Sequence, residues 1–287
     1  MILSIIILNY NTKDLTINCL ESIIKQYEKE LKNGEIEIVV VDNASSDGSV
    51  RAIQNYNSKF KIIENNENVG FAKGCNIGER IAKGEYILFF NSDTQVLDKG
   101  FLDMVQFLEK NPSFGILGGK LLNNNGSSQV SAGKFYNLFN LSLMLMGMER
   151  FGFLKNSPDK IAQADWVSGG CMMIRKAVFN SLKGFDENFF MYIEDMEFCY
   201  RAKKNKILTG FYPYARVKHK GQGSSSREFA IVNIYKGILY FYAKHKTPME
   251  RQIAKLLLTV KAKLAIFMGS IANNASVIST YRKALSF

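Results

Sequence analysis

The sequence lacks the patterns that mark several common protein classes. Its four cysteines, Cys19, Cys75, Cys171 and Cys199, form no CxxC pair and have no regular spacing. They read as buried free thiols, as in a reducing cytoplasm. No stretch reaches the roughly 18 uninterrupted apolar residues of a membrane-spanning helix. The opening MILSIIILNYN has no basic residue before its short apolar run and no small-residue cleavage site, so a strand is expected there rather than a secretion signal. Internal repeats and low-complexity segments are absent. No GxxxxGK[ST] occurs, and the first apolar run is followed by Asn9-Tyr10-Asn11-Thr12 rather than GxGxxG. A P-loop and a dinucleotide-binding fingerprint are thereby excluded.

What is present is an ordinary globular composition with a basic bias. The 287 residues are 47% hydrophobic and 22% charged, enough for one large domain with or without an appendage. The net charge is +11. Residues 246–287 hold seven Lys or Arg against Glu250 alone, so +6 of the excess sits in the tail. Such charge suits an anionic membrane surface, a polyanionic substrate or nucleic acid, but no nucleic-acid-binding motif accompanies it.

Continuous apolar runs at 2–8, 36–41 and 86–90, with KIIE at 61–64, read as strands, the longer ones buried on both faces. Helical patterns separate them: one capped by Asn11 or Thr12, one opened by Ser45-Ser46-Asp47, and one over 71–83. The order βαβαβαβ predicts a mostly parallel sheet with helices on both faces. Further helices are expected over 98–110 and 194–204, and strands over 114–122 and 166–175. Two short strands are expected within 207–219, and two or three helices from 229 onward. Residues 135–154 carry no assignable pattern.

Two apolar strands end abruptly in polar groups, at Asp42-Asn43 and at Asn91-Ser92-Asp93. In an open parallel sheet ligands bind beyond the carboxyl ends of the strands. Asp42 there can accept from a base or ribose, and Asp93 can hold a divalent cation that bridges two phosphates. Either Asp alone would be an ordinary turn residue. Gly70, Gly74 and Gly78 recur every fourth residue, thinning one helix face for close packing on the sheet or for approach to a nucleotide. Asp186, Glu187, Glu194, Asp195 and Glu197 lie among Phe189, Phe190, Met191 and Tyr192. Acids beside aromatics can have raised pKa values and act as bases, whereas a solvated helix start is the alternative. His219, one of only two histidines, ends an apolar-basic strand before the Gly/Ser-rich loop 221–226 and is a candidate metal ligand. His245, in a helical context, reads as structural.

Taken together, these motifs resemble the family 2 glycosyltransferases of GT-A fold, in particular the rhamnosyltransferase-like branch. The resemblance rests on SIIILNYN, VVVDNASSDGS (39–49), NENVGFAKGCNIG (66–78), FFNSD (89–93), WVSGGCMMIR (166–175), GFDENFFMYIEDMEFCYR (184–201) and the PYARVKH run ending at His219. It covers roughly residues 1–245 and implies a GT-A domain over 1–225, with a helical C-terminal extension over 226–287. It further implies that Asn9, Tyr10, Asn11, Asp42, Asn68 and Lys73 line the nucleotide pocket, with Asn91 and Ser92 beside the diphosphate. Asp93 and His219 would hold Mg²⁺ or Mn²⁺. Trp166, Gly169 and Gly170 would shape the sugar and acceptor cleft, and Asp195 would be the general base with Glu194 positioning the acceptor. The expected activity is inverting transfer of a sugar, rhamnose from thymidine diphosphate first, onto an acceptor hydroxyl in bacterial surface polysaccharide assembly. A uridine-diphosphate hexose is the alternative donor, and a non-catalytic nucleotide-sugar-binding module the alternative function. A sugar nucleotidyltransferase would need a Gly-rich basic loop where NYNTKD stands. Asn91 departs from the acidic first position of the family's metal motif, leaving fewer carboxylates for the metal.

The same resemblance implies a cytoplasmic setting at the inner face of the cell membrane and a saccharide or lipid-linked saccharide acceptor. Residues 251–271 mix Leu, Ile and Ala with Lys as an amphipathic basic helix does. Docking on an anionic membrane and packing on the domain both fit that pattern.

Overall fold

A computed structural model describes residues 1–56, 60–148, 154–221 and 226–286. The apolar runs form the expected strands: β1 (Leu3–Asn9), β2 (Ile36–Asp42), β3 (Lys61–Glu64) and β4 (Tyr86–Asn91). They pair in parallel in the order β3-β2-β1-β4. Between them run α1 (Lys13–Lys32), α2 (Ser49–Tyr56) and α3 (Gly70–Ile81). Every residue of β2 is buried, as a strand covered on both faces requires.

The remainder of the sheet is built from β5 (Thr94–Val96), β6 (Phe114–Leu122), β9 (Ala162–Ala164), β11 (Cys171–Arg175) and β12 (Leu208–His219). The full order is β3-β2-β1-β4-β11-β6-β12-β5, with β9 on β12. Strand β11 is antiparallel to both of its neighbours, β4 and β6, which makes the sheet mixed. The short strands β7 (Ala132–Gly133), β8 (Lys155–Asn156) and β10 (Trp166–Val167) form a separate small sheet. Helix α4 (Gly100–Lys110) lies on one face; α6 (Lys176–Ser181) and α7 (Glu194–Lys204) lie on the other. This is the GT-A architecture anticipated from the motifs.

Three local expectations change. Residues 208–219 form one strand instead of two, because a register shift between Tyr212 and Arg216 accommodates Pro213 and pairing to β6 resumes at Arg216. Thr12 occupies the cap position of α1 but makes no capping bond; its hydroxyl is used by Asn9, Thr16 and Ser92. The unassigned stretch contains α5 (Leu138–Leu145), and residues 149–153 of it lie outside the described residues.

The glycine repeat on α3 is a packing device. A Cβ on Gly78 would stand 2.6 Å from Ile6 Cγ2, and one on Gly74 would stand 2.7 Å from Leu8 Cδ2. Only a bare backbone lets α3 lie this close to β1. Gly70 opens the helix at φ +82°, and a side chain there would collide with the Phe190 carbonyl.

Three helices complete the chain: α8 (Arg227–His245), α9 (Pro248–Ile271) and α10 (Ala275–Ala284). They share a third apolar cluster with α5 and with the segment leading into α7, through Phe189, Ile193 and Met196. The four cysteines are free and buried, and burial pushes the thiols of Cys19, Cys171 and Cys199 up to about 12.

Candidate active site

The carboxyl ends of β1, β2 and β4 converge; Asn9 ties β1 to β2, and Thr12 reaches Ser92 beyond β4. The Asn9 amide donates to Asp42 Oδ1 at 2.6 Å and to Ser45 Oγ at 2.9 Å. Its carbonyl accepts from Thr12 and Thr16. Asp42 is buried beneath this junction, with Oδ2 accepting from the Ser45 amide at 2.8 Å. Both groups are thus engaged in holding the strand ends together.

Above the junction lies a cavity of about 280 Å³. Asn9, Tyr10, Asn68, Asn91, Ser92 and Asp93 border it. Asn43, Phe71, Phe190, Met191 and Phe229 also border it, and the motifs had not singled these out as lining residues. Three expected pocket residues, Asn11, Asp42 and Lys73, line neither this cavity nor the larger one beside it. Asn11, at φ 51°, instead uses its carbonyl on the Ser46 amide.

A second cavity of about 600 Å³ shares Phe71, Asn91, Asp93 and Met191 with the first. Trp166, Gly169, Gly170, Glu194, Asp195 and His219 line it. Twelve of the fifteen candidate residues therefore border one continuous cleft.

Pairing of β5 with β12 sets His219 opposite Thr94, one residue beyond Asp93. The imidazole Nε2 consequently stands 3.2 Å from Asp93 Oδ1 and 3.4 Å from the Asn91 side-chain nitrogen. The other ring nitrogen meets Gln129 Oε1 at 2.5 Å, a contact that holds Nδ1 as the donor. An Nε2 lone pair and a carboxylate oxygen are then two acceptors facing each other. A cation beside both resolves that opposition. This donor set, one carboxylate and one imidazole in a cleft with room for further oxygens, fits a divalent cation. No cluster of three or more His, Cys, Asp or Glu suited to a metal occurs among the described residues, so a diphosphate or water would supply the remaining ligands. Gln129 gave no signal in the sequence. Residues 222–225 of the expected Gly/Ser loop lie outside the described residues.

Across the cleft, the start of α7 presents the acid pair. Tyr192 and Ile193 both adopt left-handed backbone, at φ 69° and 72°, which is uncommon for such side chains and turns the chain sharply into the helix. The preceding loop is pinned to α3 by Asn76, which donates to the Phe185 carbonyl and accepts from its amide at 2.9 Å each. Asp195 Oδ2 accepts from the Gly169 amide at 3.0 Å and Oδ1 from the Met196 amide at 2.7 Å. Burial raises the Asp195 carboxyl, opposed by these amides and by the Lys155 cation. Glu194 is pushed well above the usual carboxylate range, first by burial and then by the Asp195 charge; its Oε2 has no hydrogen-bond partner among the described residues. The two acids titrate as one interacting pair, in which Glu194 is the more strongly raised. The acids are therefore not a solvated helix start, since Glu194 and Glu197 are buried as well. Asp186 and Glu197 serve a different purpose: they bind Lys244, and Glu197 also meets His245 Nε2 at 2.8 Å. The structural reading of His245 agrees with that contact.

A sequence profile described as Glycosyl transferase family 2 matches residues 4–182, more than half of the chain. The chain belongs to glycosyl transferase family 2. It is 29% identical over 216 residues to the low-salt glycan biosynthesis hexosyltransferase Agl10 of Haloferax volcanii, an alignment covering 72% of this chain and 64% of that protein. It is 25% identical over 258 residues to the N-acetylglucosaminyl-diphospho-decaprenol L-rhamnosyltransferase of Mycobacterium tuberculosis, covering 80% and 81%. Among solved structures, the mannosyltransferase PcManGT of Pyrobaculum calidifontis, in complex with GDP-Man and Mn²⁺, superposes with a TM-score of 0.59 at 16% identity, over 99% of this chain and 84% of that one. S. aureus TarS 1-349 gives 0.57 at 16% identity, over 99% and 90%. The fold is that of GT-A glycosyltransferases, and the chain is a glycosyltransferase with hexosyl- and rhamnosyltransferase relatives.

Proposed function

We propose that this glycosyltransferase is an inverting, metal-dependent enzyme that transfers rhamnose from thymidine diphosphate onto the hydroxyl of a saccharide or lipid-linked saccharide, in assembly of a bacterial surface polysaccharide. Residues 1–225 are the catalytic domain and 226–287 a helical extension to it. The carrying observation is that the Asp93–His219 pair and the Glu194–Asp195 pair border the same cleft, beside a cavity at the carboxyl ends of the sheet. The rhamnosyl assignment is supported by the Mycobacterium relative and by a 30% identical rhamnosyltransferase, WbbL of Escherichia coli, aligned over 49% of this chain.

In this reading the nucleotide occupies the smaller cavity, bordered by Asn9, Tyr10, Asn68, Asn91 and Ser92, with Asn11, Asp42 and Lys73 supporting its rim. Asp93 and His219 would hold Mg²⁺ or Mn²⁺, which would supply positive charge to offset that of the diphosphate. Trp166, Gly169 and Gly170 shape the place of the sugar and acceptor. Asp195 takes the proton of the acceptor hydroxyl as that oxygen bonds to the anomeric carbon. The bond from that carbon to the phosphate oxygen breaks, and its electron pair leaves on the diphosphate. One displacement of this kind inverts the anomeric centre. The Gly169 and Met196 amides keep Asp195 oriented and favour its charged form, while burial raises the carboxyl and strengthens it as a base. Glu194, holding its proton, donates to the acceptor and positions it.

The test is nucleotide release by the purified protein with Mn²⁺ or Mg²⁺ across a panel of nucleotide sugars, for wild type, Asp93→Ala and Asp195→Asn. Release from one donor that needs metal and weakens in Asp93→Ala is expected, with acceptor-dependent transfer lost in Asp195→Asn. Release from a uridine-diphosphate hexose alone would replace the donor assignment. A donor that binds tightly without turnover in the presence of acceptor would make the protein a binding module, and no binding of any donor would refute the reading.

A further inference from the structure

Helix α9 is apolar on two opposite faces, and apart from Leu258 the smaller side chains face inward and the larger ones outward. Toward the rest of the protein it turns Ala254, Leu258, Ala262 and Gly269, all buried. Away from the protein it turns Ile253, Leu256, Val260, Leu264, Phe267 and Ile271, which are 36–70% exposed. Their spacing of three and four residues makes one continuous stripe, about 27 Å long at 1.5 Å per residue. A helix that only packed on its own domain would bury its large side chains and expose small or polar ones. The stripe exposes on the order of 600 Å² of residue surface, at the upper end of what a monomer in water usually shows as one patch.

The charge on this helix says what covers the stripe. At 100° per residue, Lys255 and Lys263 fall between the two apolar faces on one side, and Lys261 falls between them on the other. The one acid of α9, Glu250, is occupied in a capping box with Thr247. A second copy of the chain meeting this face would bring lysine flanks against lysine flanks. A surface of anionic headgroups over an acyl layer complements both features at once. Helix α5, which packs on α9, and the residue that caps it also carry exposed apolar side chains, Phe139 and Met146, 70% and 73% exposed. Among the described residues no helix is long and apolar enough to cross a membrane, so the contact is an interfacial one.

We propose that the outward face of α9 is the docking surface for an anionic phospholipid bilayer, with Leu256, Val260, Leu264 and Phe267 entering the acyl boundary and Lys255 and Lys263 at the headgroups. Lys261 and Tyr281 also line the cleft that holds Glu194 and Asp195, so a docked protein carries its cleft beside the lipid surface. Docking by itself needs no turnover and stands or falls separately from the transferase reading.

The experiment is co-sedimentation of the whole protein with vesicles of phosphatidylcholine alone, and of phosphatidylcholine with phosphatidylglycerol. Wild type is expected to bind the anionic vesicles, and Leu256→Ser/Phe267→Ser to bind them at least about tenfold more weakly. Lys255→Gln/Lys263→Gln is expected to lose the preference for anionic vesicles. These side chains are exposed, and unchanged circular dichroism and melting of the variants establish that the fold is kept. Equal binding by wild type and Leu256→Ser/Phe267→Ser would overturn the proposal, as would no binding by wild type. A wild-type dimer that the same double substitution dissociates would assign the stripe to a second copy and overturn it too.

Discussion

Substituting Glu197 by Gln removes one charge from a buried acid that pairs with three basic side chains. The side chain is fully buried and accepts from Arg201 Nε at 2.9 and 3.0 Å, Lys244 Nζ at 2.8 Å and His245 Nε2 at 2.8 Å. Removing one partner of a buried ion pair costs roughly 3–5 kcal/mol, because the other charges stay desolvated. Here the lower end applies. Lys244 keeps Asp186 at 2.6 Å, and Arg201 keeps the Leu182 and Gly184 carbonyls. A loss of about 3 kcal/mol in a chain of this size lowers the melting temperature by roughly 5 °C. Burial alone would raise the Glu197 carboxyl, but the bonds from His245, Lys244 and Arg201 outweigh it and hold the group below its ordinary 4.5. A depressed carboxyl stabilises the fold above its unfolded pKa and loses that contribution as pH falls through the folded value. The gap between wild type and variant is therefore full at neutral pH and narrows in acid below the ordinary carboxylate range. Thermal melts followed by circular dichroism across that range measure it. A neutral-pH gap of only a degree or two, or one that does not change in acid, would refute the argument.

Glu194→Gln is expected to behave in the opposite sense. The raised Glu194 carboxyl costs stability as pH climbs from its unfolded value toward the folded one, so the variant gains on wild type with rising pH and matches it in acid. A difference in melting temperature that is flat with pH would contradict this. Gln129→Leu removes the partner that orients His219, and about a tenfold loss of Mn²⁺ affinity is expected, read by calorimetric titration with the nucleoside diphosphate present. Unaltered affinity would mean that Gln129 does not set the His219 ring.

The parallel half of the sheet was legible because its signal is local. Runs such as 36–41 are apolar at every position, which only a strand covered on both faces tolerates, and the helices between them carry their own stop signals. Asn91 and Asp93 could be placed at a strand end for the same reason. The antiparallel strand β11, inserted between β4 and β6, and the single β12 bridging Pro213 could not be read this way, since strand partners are chosen by long-range packing.

For the site, the sequence by itself determined which chemical groups are available: the acids of 186–197, one histidine at a strand end, and amides at the ends of apolar runs. Tertiary structure alone decided which of them meet. The pairing of β5 with β12 sets His219 against Asp93, and left-handed backbone at Tyr192 and Ile193 turns Glu194 and Asp195 into the cleft. Packing buried Glu197 among cations yet left Glu194 Oε2 without a partner, although both acids belong to one helical turn. The same packing turned Ala254, Leu258, Ala262 and Gly269 of α9 inward and left Leu256, Val260, Leu264 and Phe267 outward. Composition and periodicity fix the faces an element owns; which face is covered, and by what, depends on contacts between residues far apart in the chain.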